Sequence, residues 1–251
     1  MAPLTPRQQR EREFWNKASS VQVYENWREQ SYESWKSYRP LQTAALDFLG
    51  PVEGKRLLLC GIGSEAAIFA RAGAQVYGFD ISETTIAAVE DLAKRLDLTD
   101  SIMVSAQPFE ALSYPDSFFD LAFGDAILHH VELDQAGAEL RRVLRSGGRA
   151  SFIEPLGMNP FLEFARRYLP YRDKGRTEDE IPLRYSDIRK LTDHFEIAMW
   201  REFSLFAMLR RRIITNRRII GWLERLDQKV LKIAPYLRCL CAAIWIGVEK
   251  R

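Results

Sequence analysis

The sequence predicts an α/β fold: a doubly wound, mostly parallel seven-stranded sheet, with a helical cap before it and a helical insertion near its end. Three observations predict this. Short apolar runs without polar alternation, such as Leu57 to Cys60, read as strands buried on both faces. Five strand-like runs between residues 55 and 155 alternate with helical patterns, which calls for parallel pairing through right-handed crossovers. Residues 54–82 run strand, Gly61-x-Gly63 turn, helix, strand, acid, the first half of a dinucleotide-type site. The acid, Asp80, lies 17 residues beyond Gly63, close to the roughly 20 expected for a carboxylate that takes ribose hydroxyls.

At 251 residues the chain fits one large α/β domain with additions. We divide it into a cap over residues 1–50, a ligand-binding core over 51–155, and residues 156–251, which carry a substrate cap, the insertion and the last strands. Lys plus Arg number 36 against 34 Asp plus Glu, so there is no basic excess of the kind that grips nucleic acid. Cys60, Cys239 and Cys241 have neither disulfide-framework nor metal-ligand spacing, which suits a reduced, cytoplasmic setting. The opening MAPLTPRQQREREF has no apolar core for a signal peptide, and no apolar run approaches the length of a membrane span.

Taken in order, Thr5-Pro6 starts a first helix, with Pro at a position where its missing N–H costs nothing. Phe14, Trp15, Tyr24, Trp27, Tyr32, Trp35 and Tyr38 crowd this region. They fit a core that docks the helices on the sheet, and equally a lid whose aromatic faces cover a ligand. Pro40 breaks the segment, and Leu41 to Leu49 forms one more amphipathic helix. After the strand Leu57–Cys60 and the glycine turn, Ser64 is a fair N-cap for a helix to Ala72, which Gly73 stops. A strand from Gln75 to Phe79 ends in Asp80, and Ser82 caps a helix over Glu83–Leu96. Ile102–Val104 is a third strand, and a loop from Pro108 to Pro115 contains Glu110. Phe118–Gly124 is a fourth strand, running into Asp125-Ala126-Ile127-Leu128-His129-His130. A helix over Leu133–Leu144 and the Gly147-Gly148 turn lead to a fifth strand, Arg149–Ile153, ending at Glu154-Pro155. Sheets of this kind bind ligands at the carboxyl ends of their strands, and Gly61, Asp80, Gly124, His129 and Glu154 all fall on that edge.

These residues together resemble the class I S-adenosylmethionine-dependent methyltransferases, and most closely the small-molecule enzymes whose fourth strand is followed by Leu-His-His. The resemblance spans about Lys55 to Phe195. It rests on Gly61-Ile62-Gly63, Gly73-Ala74-Gln75-Val76, Gly78-Phe79-Asp80-Ile81-Ser82, Phe119-Asp120-Leu121, Leu128-His129-His130, and Arg142-Val143-Leu144-Arg145-Ser146-Gly147-Gly148-Arg149. It implies a Rossmann-like methyltransferase fold that uses S-adenosylmethionine, leaves S-adenosylhomocysteine and needs no metal. It further implies that Gly61, Ile62 and Gly63 hold the methionine part, that Asp80 takes the ribose and that Ile81 packs on adenine. Gln107, Pro108, Phe109 and Glu110 would approach the adenine amino group, and Gly124 and Asp125 would line the sulfonium centre. One departure stands out. The family's first-strand acid is replaced by Leu57 or Leu59, depending on register, so no carboxylate faces the cofactor's ammonium. The expectation is that Tyr24 or a backbone carbonyl takes that role.

A hydroxyl acceptor needs a base, and His129 and His130, two of three histidines, are the candidates, with a lean to His129. Glu154 fits orientation of an imidazole, contact with substrate, or a plain solvated strand end. After the fifth strand, an amphipathic helix reaches Leu169. Arg166, Arg167, Arg172 and Arg176 fit either an anionic substrate group or a solvated basic face. Trp15, Tyr24 and Trp27 are the candidate substrate contacts of the first cap. Residues 203–238 read as an insertion between the last two strands, of which Leu240–Val248 is the final, antiparallel one. Over 206–233 its mixed basic and apolar pattern fits a membrane surface, a lipid-like substrate, a packed helix or a homo-oligomer partner. The resulting expectation is methyl transfer to a small, largely apolar molecule, first to oxygen. Carbon methylation of a prenyl or aromatic compound, with or without cyclisation, and a cofactor-binding protein without transfer are the alternatives.

Overall fold

The computed structural model describes residues 4–26, 30–168, 181–208 and 216–251. Three helices come first: α1 (Pro6–Asn26), α2 (Tyr32–Lys36) and α3 (Pro40–Leu49). The core then alternates as β1 (Arg56–Cys60), α4 (Glu65–Arg71), β2 (Gln75–Asp80), α5 (Glu83–Arg95), β3 (Ile102–Ala106), β4 (Phe119–Asp125), α6 (Leu133–Val143) and β5 (Leu144–Pro155). A 3-10 turn, Leu128–His130, sits between β4 and α6. The remainder is α7 (Pro160–Tyr168), α8 (Tyr185–Thr192), β6 (Ile197–Phe203), α9 (Arg217–Ile233), a second 3-10 turn at Pro235–Leu240, and β7 (Ala243–Glu249).

The seven strands form one sheet in the order β3-β2-β1-β4-β5-β7-β6. The first five pair in parallel, and β7 inserts antiparallel between β5 and β6. The chain reverses direction across the sheet between β1 and β4, and that switch point is where a doubly wound sheet opens its ligand crevice. Leu57, Leu58, Leu59 and Cys60 are all buried, as a strand covered on both faces must be. One face packs Leu58, Phe119, Leu140 and Ile246; the other packs Leu46, Leu57, Phe69 and Trp245.

Three local features differ from expectation. Ser64 stands at the N-cap position of α4, but its side chain makes no cap hydrogen bond; the Gly63 N–H instead donates to the Glu65 carboxylate at 3.0 Å. The fifth strand begins at Leu144, before the glycine pair, with a register irregularity opposite Phe119 to Leu121. Helix α8 is an element the sequence pattern did not reveal, and the strand expected ahead of the insertion is β6, an edge strand with only its last two residues buried. The docking role of the early aromatics is real for two of them: Trp35 meets Phe69 and Phe123 edge-on, and Tyr32 lies against Phe69. Tyr38 is exposed. In α9, Ile219 and Trp222 are exposed, as are Ile233 and Tyr236 beside its end. Among the described residues no helix is long and apolar enough to cross a membrane.

The glycine turn after β1 owes its position to β2. The N–H groups of Gly61 and Ile62 both donate to the Phe79 carbonyl at 3.1 Å, and Ile62 packs directly over Gly78. A Cβ at Gly78 would lie 2.0 Å from Ile62 Cδ1, so this glycine is required for space rather than for backbone freedom. We expect Gly78→Ala to push Ile62 and the turn off the strand and to lower stability by about 1–3 kcal/mol, read as a fall in the urea midpoint with an unchanged slope.

Candidate active site

A cavity of about 410 Å³ opens at the carboxyl edge of the sheet. Its base is the turn Gly61 to Glu65. Gly61 has φ +72°, a conformation that costs glycine little, and Ile127 would crowd any side chain there. The end of β2 contributes Asp80 and Ile81, the loop after β3 contributes Gln107 to Glu110, and the stretch after β4 contributes Asp125, Ala126, Ile127, His130 and Val131. Helix α1 closes the cavity with Gln8, Glu11 and Trp15.

Of the charged groups on this described wall, five are carboxylates, Glu11, Glu65, Asp80, Glu110 and Asp125, and His130 is the one base. Burial pushes the Asp80 carboxyl up to about 7, against the pull of the Ser82 N–H, which it accepts at 2.8 Å. Burial likewise pushes Glu65 up to about 7, helped by the neighbouring charges of Asp125 and Asp80. Carboxylates crowded in a poorly solvated cavity raise one another's proton affinity, and a cationic ligand relieves that repulsion. Glu65 is the residue that sequence reasoning missed. Although the first strand has no acid, a carboxylate reaches the same cavity from the first turn of α4, folded back over Gly63.

Two carboxylate–imidazole pairs flank the cavity, and they differ in role. His129 is buried and holds Glu154 through Nδ1 at 2.7 Å. Glu154 is itself almost wholly buried and also accepts the N–H groups of Ile127 and Leu128 at 2.8 and 2.7 Å. Neither His129 nor Glu154 lines the cavity, so the lean to His129 as the base does not match their placement; the 3-10 turn sends adjacent histidines different ways. His130 does line it. Its Nδ1 lies 3.1 Å from Glu11 Oε2, yet off the line of a hydrogen bond, so this buried ring nitrogen has no hydrogen-bond partner. Glu11 is buried and accepts from Trp15 Nε1 at 3.1 Å. Glu11 was not legible as a site residue, because its partner is 119 positions away.

Other expected contacts are also reassigned. Gly124 stands behind the wall, covered by Ile127 and Phe152. The Gln107 side chain braces its own loop, donating to Ser105 and accepting from the Ser113 N–H. Phe109 reaches the wall but is buried against Phe79. Glu110 accepts from Gln8 and from the Glu132 N–H, which ties α1 to the start of α6. Trp15 is on the wall. Trp27 and Arg176 lie outside the described residues, as do the side chains of Tyr24 and Arg166.

Comparison with known proteins meets this geometry at the same residues. The model of a family described as "Methyltransferase domain" matches residues 58–152, the stretch that supplies the cavity's sheet-side wall. Residues 58–152 match this methyltransferase family, and the sheet they belong to has the Rossmann-like methyltransferase fold. The chain's fold is that of solved relatives. It superposes on geranyl diphosphate C-methyltransferase from Streptomyces coelicolor A3(2) with a TM-score of 0.67, at 16% identity and with 100% of both chains covered. It superposes on the [4+2]-cyclase SpnF with a TM-score of 0.63, at 22% identity, covering 99% of this chain and 97% of that one. By sequence it is 35% identical to 27-O-demethylrifamycin SV methyltransferase of Amycolatopsis mediterranei over 100 residues, 38% of this chain and 37% of that protein. The curated relatives are matched over only about two fifths of their own length.

The methyltransferase cavity fits S-adenosylmethionine chemically. A glycine cradle, an acid at the tip of β2 and a carboxylate-rich wall suit a ligand with a ribose and two positive centres. The raised carboxyls also set the pH dependence of the protein alone. An acid whose folded pKa is raised binds its proton more tightly folded than unfolded, so stability is greatest below the unfolded value and falls as pH rises to the folded one. For Asp80 and Glu65 that window runs from their ordinary 3.8 and 4.5 to about 7. We expect the melting temperature of ligand-free protein to be depressed across this window, and Asp80→Asn with Glu65→Gln to flatten the slope.

Proposed function

We propose that this chain transfers a methyl group from S-adenosylmethionine to a hydroxyl oxygen of a small, largely apolar molecule, with His130 as the general base and Glu11 as its partner. The His130–Glu11 pair on the cavity wall carries this reading. The cofactor would supply an electrophilic methyl on sulfur, and the residues of this chain would position the acceptor, exclude water and take the proton. His130 lines the cavity, and its buried Nδ1 lies 3.1 Å from the buried Glu11 carboxylate. Rotation of the ring or a small shift of α1 aligns the two, after which Glu11 favours the imidazolium that forms on proton uptake. Trp15, Phe79, Phe109, Ile127 and Val131 give the cavity an apolar wall, which suits an acceptor of the same character. Helix α1 supplies both Glu11 and Trp15, so closing the cavity and completing the base are one event.

A second reading is carbon methylation or cyclisation within the same fold. The solved neighbours favour it: one carries the name of a C-methyltransferase of geranyl diphosphate, another that of a [4+2]-cyclase. Against a diphosphate in this cavity stands its wall, where the described charged groups other than His130 are acidic.

Release of S-adenosylhomocysteine, measured over a panel of phenols and terpenoid alcohols, tests the proposal. With an accepted alcohol, we expect His130→Ala to lower kcat by about 100-fold or more and Glu11→Gln by about 10-fold. Loss of less than a few-fold in both variants rules out general-base catalysis by this pair. Cofactor binding without product from any acceptor points to the cyclase or binding-protein reading.

A further inference from the structure

We infer that Glu65 is the acid that receives the ammonium group of the cofactor's amino-acid end, in place of the carboxylate missing from the first strand. This inference rests on the S-adenosylmethionine reading of the cavity and specifies how that ligand is gripped.

Three observations place it. The positions of β1 where an acid would stand are Leu57 and Leu59, both buried in the apolar core with no route to the cavity. Glu65, by contrast, lines the cavity beside Gly61 and Gly63. Its carboxylate is folded back so far that a Cβ on Gly63 would come within 2.7 Å of Oε2. One oxygen, Oε1, is fixed by the Gly63 N–H, so the carboxylate cannot swing out into solvent without giving up that bond. The glycine at 63 therefore does more than turn the chain. It leaves the room that a glutamate two residues later occupies with its charged end.

The wall asks for a positive charge at this point. Asp80 comes from β2 and Asp125 from β4, and both act on Glu65 to disfavour its ionised form. Thr85 of α5 and the backbone of Ile81 complete the neighbourhood on the wall, and His130, the wall's one basic group, already faces Glu11. An ammonium donating to Glu65 would offset the repulsion among three carboxylates at once. It would also favour the ionised form of Glu65, so ligand binding and loss of a proton from this residue are linked.

The test separates the amino-acid end from the nucleoside. Calorimetric titration compares S-adenosylhomocysteine, which carries the ammonium, with 5′-methylthioadenosine, which lacks the whole amino-acid end, on wild type, Glu65→Gln and Glu65→Asp. We expect Glu65→Gln to weaken S-adenosylhomocysteine by about 10- to 100-fold, the range for loss of a hydrogen bond between charged groups, and to leave 5′-methylthioadenosine within about 2-fold. Wild-type affinity for S-adenosylhomocysteine should strengthen as pH rises to about 7, with the dependence much reduced in Glu65→Gln. Equal weakening of both ligands in Glu65→Gln would mean that the residue only shapes the turn, and would overturn the inference. So would unchanged affinity for both. Glu65→Asp, which keeps the charge, should retain part of the discrimination between the two ligands. If wild type binds 5′-methylthioadenosine but not S-adenosylhomocysteine, Glu65 is no ammonium receptor while the nucleoside site stands. If wild type binds neither, the cofactor reading itself fails.

Discussion

The Glu154 carboxylate, almost fully buried at the end of β5, accepts from two consecutive backbone N–H groups and from an imidazole. A charge so deep is tolerable only when its oxygens are fully engaged. All three donors belong to the 127–129 stretch, so this one group dictates the path of the chain leaving β4. That path sets where Ile127 covers Gly61 and Gly124 and which way His130 faces. The cavity wall is thus shaped from behind, by a residue that does not line the cavity. The second carboxylate–imidazole pair, Glu11 with His130, lies in front of it. The two imidazole rings lie 4.1 Å apart between centroids with their planes tilted by 40°, so the rear pair packs directly against the front one.

The sheet and its rim were largely legible in the chain. Apolar strands without alternation, Gly61-x-Gly63 and Asp80 at its distance all report on local backbone requirements, and the structure places each where the pattern implied. The site was less legible, for physical reasons that differ residue by residue. His129 and His130 are neighbours in sequence, and only the geometry of a 3-10 turn separates a buried imidazole from one that lines the cavity. Glu11 sits in a helix rich in charged residues and is distinguished only by burial against a partner far along the chain. Glu65 was hidden by the motif itself, since a missing strand acid draws attention to the strand and not to the next helix. The edge strand β6 carries no alternating pattern to bound it, because only its last two residues are buried.

The substitution of one acid position for another has a parallel in how the cavity is assembled. The first strand keeps an uninterrupted run of Leu57, Leu58 and Leu59, all buried, where an acid in that run would have to be hydrated or paired. Moving the carboxylate to the first turn of α4 keeps the strand wholly apolar and places the charge near a helix start, where negative groups are favoured. The cost appears instead as burial of the Glu65 carboxyl beside the charges of Asp125 and Asp80, and it falls on the cavity rather than on the core.

Helix α1 is held over the cavity by polar links: Gln8 to Glu110, Arg7 to Glu132 and to the His129 carbonyl, and Asn16 to Ser82. Among its described side chains, only Glu11 is fully buried. Each of those links can be traded for one with water, and the one between Arg7 and Glu132 is an ion pair. Dissolved salt would weaken that tie, so the grip of the helix on the rim is set partly by the medium around it.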